Sequence, residues 1–264
     1  MLPLLVASKL DPAGHNMAHY MIDKHGFKAQ TNNVYTNRVA TLLVAEEELL
    51  TMEWLDKEFL PSYYVFLSRH RSESGIPTLT CHTTGNFSDS NAMGGRPREL
   101  AYTYPSLQKH YMKTVHKEMF RIHDYHLVIE ATHHGPTSLA KPVLFIEIGS
   151  TENQWNDHNA ISVVCDAVID AMKTVKSYGS VGIGLGGTHY PSKFTKILIS
   201  SDYALASIAS KHSLSSLDKT MLEQMISKSI EEVKYIFMDL KGLGREKDRL
   251  NNIINEIDLE VVRL

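Results

Sequence analysis

The feature that most constrains the fold of this chain is a series of short apolar runs separated by segments with helical spacing. Two of the runs, HLVIEA (His126–Ala131) and VLFIEIG (Val143–Gly149), are apolar almost throughout, as is typical of strands covered on both faces of a sheet. Further strands are predicted at Pro3–Ser8, Arg38–Ala45, Tyr63–Arg69, Thr78–His82 and Val181–Gly187. The alternation predicts an α/β fold, a three-layer sandwich with a largely parallel or mixed sheet.

Helices are predicted between these strands. One follows Asp11-Pro12, an N-cap residue and a proline at the first helical position, and two more occupy Leu107–Ile122 and Thr151–Val175. The last of them opens with a Thr-x-x-Gln capping box. The polar, glycine-rich segment Thr83–Arg98 is predicted to be a loop long enough to serve as a lid.

The pattern changes near residue 200. Val181–Gly187 is expected to be the last strand of a main α/β domain, residues 1–199. Beyond it the order becomes helix, helix, strand (VKYIFMDL), a KGLGR turn, helix and a final strand (LEVVRL). We therefore expect residues 200–264 to form a small α/β appendage packed on the main domain.

Composition limits the classes of protein to which the chain can belong. The chain has 264 residues, a net charge of −3 and two cysteines, too few for a disulfide framework. No run approaches the roughly 20 apolar residues that span a bilayer, and the start resembles a strand more than a signal peptide. A cytoplasmic location is expected. The net charge argues against nucleic-acid binding through global charge but leaves room for a local basic groove.

Histidine is abundant, with 14 copies, and its positions follow the predicted strands. Five strands end in or beside imidazole or carboxylate groups: His70, His82, Glu130, His133, His134, Glu147 and His189. One such residue alone is usually a surface or turn residue. Because the carboxyl ends of parallel strands meet at one edge of a sheet, we expect all seven to line one pocket. Such groups are ligands of catalytic zinc and also act as general acids and bases.

Three other motifs carry weaker signals. The glycines of GIGLGG (Gly182–Gly187) do not open a helix with the dinucleotide-binding spacing, and tight strand packing or close approach to a substrate explains them better. His70-x-x-Glu73 resembles half of a zinc-peptidase motif, which is too short to be specific. Cys81 and His82 are adjacent in a strand and point to opposite faces, so Cys81 is expected to be a packed core residue.

Taken together, the motifs resemble one family, the D-aminoacyl-tRNA deacylases shared by archaea and plants, also called D-tyrosyl-tRNA deacylases. The resemblance covers most of residues 1–200 in order. It rests on SRH (68–70), PTLTCHTTGN (77–86), EATHHGPT (130–137), FIEIGSTENQW (145–155) and GIGLGGTHY (182–190). It implies a phosphorylase/hydrolase-like α/β fold, zinc as the metal, and hydrolysis of the ester that links a D-amino acid to tRNA.

The resemblance and the strand-end chemistry together give a set of candidate site residues. Candidate metal ligands are His82, His133 and His189. Candidate catalytic residues, which activate water or contact the ammonium group and the oxyanion, are Glu130, Glu147, His134, His70 and Arg69. Candidate substrate-binding residues are Asn86, Thr132, Gly186, Gly187 and Thr188. A water activated by the metal or by a base suffices, because the aminoacyl ester is already reactive.

The tRNA substrate requires cations near the pocket mouth. The candidates are Arg96, Arg98, Lys193, Lys196, Lys241, Arg245 and Lys247. The chain is expected to act as a monomer without an obligate protein partner. Two other functions stay open: a zinc-dependent peptidase or amidase of related fold, and a non-catalytic RNA-binding protein. The second lacks a basic sheet face rich in aromatic residues.

Overall fold

The structure, a computed structural model, describes all residues 1–264. Its strands are β1 (Leu4–Ser8), β2 (Lys28–Ala29), β3 (Val34–Thr36), β4 (Thr41–Ala45), β5 (Tyr64–Arg71), β6 (Thr78–His82), β7 (Gly85–Asn86), β8 (Glu99–Leu100), β9 (His126–Ile129), β10 (Val143–Ser150), β11 (Val181–Leu185), β12 (Ala204–Ala209), β13 (Val233–Met238) and β14 (Glu260–Arg263). Its helices are α1 (Pro12–Lys24), α2 (Leu55–Glu58), α3 (Pro105–Glu118), α4 (Glu152–Trp155), α5 (His158–Thr174), α6 (Ser192–Ser200), α7 (Lys219–Ser227) and α8 (Lys247–Ile254).

The main sheet has eight strands in the order β2-β3-β4-β1-β5-β10-β6-β9. Its centre, β4-β1-β5-β10, is parallel, whereas β6 pairs antiparallel with β10 and β9 runs parallel to β6. The predicted α/β class with a largely parallel or mixed sheet is confirmed. No helix is long and apolar enough to cross a membrane.

A second sheet contains four parallel strands in the order β12-β11-β13-β14. Val181–Gly187, expected to be the last strand of the main domain, provides β11, which pairs with β12 and β13 and not with the main sheet. The prediction of a helix directly after residue 200 was wrong, since residues 204–209 form β12. The boundary between residues 199 and 200 stays a prediction. The KGLGR segment, predicted as a turn, lies in a 3-10 helix, Leu240–Glu246.

The long helix predicted at Thr151–Val175 is interrupted. Thr151 and Gln154 do form the predicted capping box, but it caps only the four-residue α4. Asp157 then begins α5 by accepting hydrogen bonds from the amides of Asn159 and Ala160. A second N-cap thus replaces one continuous helix by two.

The two faces of the main sheet have different environments. Leu144, Ile146 and Ile148 of β10 point into the core formed with α1, α3 and α5. Because side chains alternate along a strand, Phe145 and Glu147 point to the opposite face, where Phe145 stacks on Phe66. This opposite face is covered mainly by short helical and irregular segments, which leave room for a pocket.

Candidate active site

A cavity of about 260 Å³ lies over the carboxylate of Glu147. Six of the seven residues expected to line one pocket do so: His70, Glu130, His133, His134, Glu147 and His189. The seventh, His82, is fully buried directly behind them, with its ring centroid 4.1 Å from that of His133 and 4.7 Å from that of His134. The structure therefore brings all seven residues together.

The residues do not meet where expected, at one edge of the sheet formed by the carboxyl ends of parallel strands. β6 and β9 run opposite to β5 and β10, so the carboxyl ends of these two pairs of strands point in opposite directions. The groups meet instead on one face of the sheet. Glu147 lies mid-strand in β10, opposite Ser68 of β5 and Thr80 of β6, and the Thr80 hydroxyl donates to Glu147 Oε2 at 3.1 Å.

Two buried carboxylates form the floor of the pocket around His70. The Nδ1 of His70 lies 3.0 Å from Glu130 Oε1 and 3.4 Å from Glu147 Oε2. Burial opposes the charge of the His70 ring, but the two carboxylates outweigh it and raise the pKa of His70 to about 9. Burial alone would raise the pKa of Glu130, yet contacts with His189, at 2.7 Å, and His70 hold it well below its ordinary value. The floor is therefore an ionic cluster at neutral pH.

Three imidazoles are held in one tautomer by backbone carbonyls. The Nδ1 atoms of His82, His133 and His134 lie 3.1, 2.8 and 2.6 Å from the carbonyl oxygens of Thr83, Ala131 and Gly135. A carbonyl only accepts, so each Nδ1 donates its proton, and a neutral ring then carries its lone pair on Nε2. Burial opposes charge on the His82 ring, but Glu147, with Oε1 3.6 Å from its Nε2, outweighs burial and raises the pKa of His82. Burial and neighbouring imidazoles lower the pKa of His133 to about 3, and that of His134 well below its ordinary value.

These donors meet the requirements of a metal site. Three compact groups each have ligand atoms within 4.8 Å of one another: His82, His133 and His134; Glu130, His133 and His189; and His70, Glu130 and Glu147. Nε2 of His82 is buried without an aligned hydrogen-bond partner and lies 3.6 Å from Glu147 Oε1, so a cation bound there would satisfy both atoms. The residues fit a divalent metal that prefers nitrogen and oxygen ligands. His133 belongs to two of the groups.

The backbone is also adapted to hold these rings. His134 has a φ of 46°, in the left-handed region that costs a non-glycine residue about 1 kcal/mol or more. This conformation directs a buried imidazole into the cluster. Gly149 lies beside His70 in the neighbouring strand, and a Cβ on Gly149 would lie 2.6 Å from that of His70. Glycine at position 149 thus makes space for the His70 side chain.

Arg69 and the predicted substrate-binding residues Asn86 and Thr132 make hydrogen bonds within the protein. Arg69 lines the cavity, but its guanidinium donates to the Leu10 carbonyl at 2.9 Å and lies over the Trp155 ring. Asn86 donates to the carbonyls of Gly94 and Arg96, which ties the Thr83–Arg98 loop together. Thr132 is buried and bonds to the Thr83 hydroxyl at 2.7 Å.

The segment that precedes His189 packs against the second sheet. A Cβ on Gly242 would lie 2.0 Å from the amide nitrogen of Gly187, so the 3-10 segment Leu240–Glu246 rests directly on Gly186 and Gly187. The Thr188 hydroxyl donates to the Tyr190 carbonyl at 3.0 Å. Close packing of backbone against backbone accounts for the glycines here, and their contact with substrate stays a prediction.

The predicted tRNA-binding residues differ in whether a carboxylate already pairs with them. Arg98 pairs with Asp218 at 2.5 Å, Lys193 pairs with Asp239 at 2.8 Å, and Arg96 lies 3.8 Å from Glu99. The remaining four are exposed, as is Arg96, and of these four only Arg245 lies near a carboxylate, 3.4 Å from Glu246: Lys196, Lys241, Arg245 and Lys247. Three of these four lie in or beside the 3-10 segment that contacts Gly187.

Tyr190 and Asp11 are among the residues that line the pocket but were not predicted from the sequence. Tyr190 lines the cavity, and its hydroxyl lies 3.4 Å from His70 Nε2. Asp11 was identified only as an N-cap, which is correct, but its other carboxylate oxygen also accepts from the Ser68 hydroxyl and the Arg69 amide. Tyr190 directly follows His189 in the motif GIGLGGTHY, so its place in the pocket could have been predicted from the sequence.

The free energy of unfolding of the metal-free protein is expected to reach a maximum near pH 6.5. The lowered pKa values of His133 and His134 mean that below pH 6.5 the unfolded chain binds more protons, so stability is lost as the pH falls towards 3. The raised pKa of His70 means that the folded state binds more protons above pH 6.5, so stability is lost as the pH rises through about 9.

Urea unfolding of chelator-treated protein at about pH 5, 6.5 and 9 measures this profile. In a His70→Gln variant the decline above pH 6.5 should become shallower, while the decline on the acid side remains. Part of the alkaline decline stays because Glu147, against the effect of burial, also raises the pKa of His82. An unchanged alkaline slope in that variant would assign the effect to other groups.

Comparison with known proteins points to one family. The family model described as D-aminoacyl-tRNA deacylase matches residues 58–262. The chain is 38% identical over 261 residues to the D-aminoacyl-tRNA deacylase of Cenarchaeum symbiosum, covering 99% of each chain. It is 32% identical over 276 residues to that of Pyrococcus furiosus, covering 99% of this chain and 100% of the relative. A crystal structure of a conserved protein of unknown function is 29% identical, with a TM-score of 0.91, over 99% of this chain and 95% of that one.

Proposed function

The chain belongs to the D-aminoacyl-tRNA deacylase family, and on this basis we propose that it hydrolyses the ester bond of D-aminoacyl-tRNA to free D-amino acid and tRNA. One observation supports this assignment most strongly: three imidazoles whose Nδ1 atoms are held by backbone carbonyls converge beside two buried carboxylates. The proposed reaction is part of translation and would take place in the cytoplasm, with the protein acting as a monomer.

The carboxylates provide the site for the ammonium group of the substrate. Glu147 has Oε2 within reach of both the Thr80 hydroxyl and His70, and its side chain borders the cavity. Glu130 is already occupied by His189 and His70, so Glu147 is the better ammonium partner. Holding the ammonium there fixes the α-carbon, and therefore the ester, above the three imidazoles.

We propose zinc as the metal, with His82, His133 and His189 as the predicted ligands. His133 forms one compact donor group with His82 and another with His189, so it is the ligand that both groups support. His189 donates Nε2–H to Glu130 at 2.7 Å, which leaves Nδ1 for the metal, just as the backbone carbonyls leave Nε2 of His82 and His133. When bound, zinc would supply positive charge and Lewis acidity at the ester carbonyl.

A side chain of the protein must accept the proton that the attacking water loses. His134 presents an unprotonated Nε2, and its lowered pKa keeps it neutral at pH 7. We propose that this Nε2 accepts the proton as water attacks the ester carbonyl, and returns it to the ribose oxygen as the ester bond breaks. Arg69 and the backbone amides of Gly186 and Gly187 remain candidate donors to the oxyanion.

A zinc-dependent peptidase or amidase is the second candidate, because the same ligands would serve it. The discriminating experiment compares hydrolysis of D-tyrosyl-tRNA with hydrolysis of D-tyrosine amides and dipeptides by the same preparation. We expect turnover of the tRNA ester only. Turnover of the amides with no effect of tRNA would replace the deacylase assignment by the amidase.

Neutralising Arg245 and Lys247 together is expected to weaken tRNA binding. Arg245 has a side chain 90% exposed and Lys247 is exposed, and both lie beside the segment that packs on Gly187. A patch of about three or four cations gives a slope of roughly −3 in a plot of log affinity against log salt concentration, and the double variant should reduce it by about 2. Hydrolysis of a minimal D-aminoacyl-adenosine should remain nearly unchanged.

The matched control replaces Lys24 and Lys28 by alanine. Both are exposed, and Lys24 ends α1, which starts at Asp11 beside the pocket. A helix rises about 1.5 Å per residue, so Lys24 lies roughly 20 Å from the pocket. Equal loss in the control pair would mean that tRNA binding does not depend on the patch near Gly187.

A further inference from the structure

A second cavity, of about 210 Å³, adjoins the pocket described above. His70 and Tyr190 line both cavities and form the wall between them. Thr78 of β6 and Val128 of β9 lie in its floor, on the same face of the sheet as Glu147. β9 is the edge strand of the main sheet, so the second cavity opens to solvent at that edge.

The wall between the cavities is only one imidazole ring thick. The Nδ1 of His70 faces the two carboxylates at 3.0 and 3.4 Å, whereas its Nε2 faces the Tyr190 hydroxyl at 3.4 Å. The rings of His70 and Tyr190 meet edge to face, with centroids 5.6 Å apart. The second cavity therefore begins on the far side of the His70 ring from Glu147.

The lining of this cavity suits an uncharged group with an apolar body and a polar tip. Ile76 and Val128 supply apolar surface, and Ser72, Ser74 and Thr78 supply hydroxyl groups. No Asp, Glu, Lys or Arg lines it, and its imidazole rings are those of His70, in the wall, and His126. Pockets of this composition favour aromatic or aliphatic side chains over charged ones.

We propose that the second cavity receives the side chain of the D-amino acid, and that Val128 and Thr78 set the size of the side chain accepted. The inference rests on the proposed function. In an aminoacyl ester the α-carbon carries the ammonium, the ester carbonyl and the side chain, so a side-chain pocket must adjoin the ammonium site. The terminal adenine is separated from that carbon by the ester oxygen and the ribose, and this greater separation favours the side chain as the occupant.

The test compares D-tyrosyl, D-tryptophanyl and D-alanyl esters on one tRNA. Val128→Phe fills the cavity and should lower the ratio of kcat/KM for D-tyrosyl over D-alanyl by about 10-fold or more, since small volume changes in apolar pockets discriminate by this amount. Val128→Ala should shift the ratio of D-tryptophanyl over D-alanyl in the opposite direction. This variant enlarges the cavity, so it keeps the test valid if the phenylalanine variant fails to fold.

The possible outcomes separate the inference from the function on which it rests. Equal losses on all three esters would assign the cavity to the terminal adenosine or to a structural role. Unchanged ratios in both variants would show that the side chain lies elsewhere. Either result overturns the inference while wild-type hydrolysis of D-esters upholds the deacylase. A wild-type protein inactive on every D-ester would overturn both.

Discussion

Replacing Glu130 by alanine is expected to lower the free energy of unfolding by about 3–5 kcal/mol, the range seen when one partner of a buried ion pair is removed. Glu130 is 2% exposed, and its carboxylate lies 2.7 Å from His189, 3.0 Å from His70 and 3.7 Å from His133. Without it, the charge on His70 keeps only Glu147 as a partner. Urea unfolding of wild-type and variant protein at pH 7 measures the loss.

A Glu130→Gln variant separates the catalytic effect from the effect on stability. The amide keeps the shape and can still accept from His189 but loses the charge, so kcat/KM for D-tyrosyl-tRNA should fall about 10- to 100-fold, as when a partner that orients a metal ligand is removed. Glu46→Gln is the control, since Glu46 forms an exposed pair with Lys9 and should change neither quantity. Wild-type stability and activity in both Glu130 variants would contradict the proposed role of Glu130 in the site.

His133→Ala is expected to abolish stoichiometric metal binding and to lower kcat/KM by about 10³-fold. His133 is shared by two of the three compact donor groups, and its Nε2 lone pair is fixed by the hydrogen bond from Nδ1 to Ala131. Removing one of three protein ligands leaves too few groups to hold zinc in a catalytic site. Elemental analysis and initial rates on the same sample test both effects.

The control for this variant is His158→Ala, because His158 is an exposed histidine at the start of α5. It should retain wild-type metal content and activity. Full activity of His133→Ala with no bound metal would support hydrolysis by acid and base groups alone. Full metal content in that variant would assign the ligands to the other imidazoles and carboxylates.

The convergence of the site could be predicted because it depends on short-range features of the sequence. Each histidine or glutamate adjoins or lies within an apolar run, and a strand fixes which face its side chain takes. His82 and Cys81 show this, since one faces the pocket and the other is packed in the core opposite. The direction of β6 could not be predicted from the sequence, because its antiparallel pairing with β10 depends on how the connecting segments cross the sheet.

The second sheet was harder to predict for a related reason. Ala204–Ala209 is alanine-rich and short, so its local preference does not oppose a helix. Its conformation is imposed by parallel pairing with β11, a contact with a segment about twenty residues earlier in the chain. The position of Asp11 in the pocket could not be predicted for the same reason, because its contacts with Ser68 and Arg69 form only in the folded protein.

The most direct test of the account measures kcat/KM on matched D- and L-tyrosyl-tRNA with the wild-type protein. The ammonium at Glu147, the ester over the imidazoles and the side chain beyond His70 define three points, and inverting the α-carbon displaces at least one of them. We expect the D-ester to react at least about 100-fold faster, which corresponds to roughly 2.7 kcal/mol in transition-state binding. Equal rates on the two esters, or hydrolysis of the L-ester alone, would contradict the account.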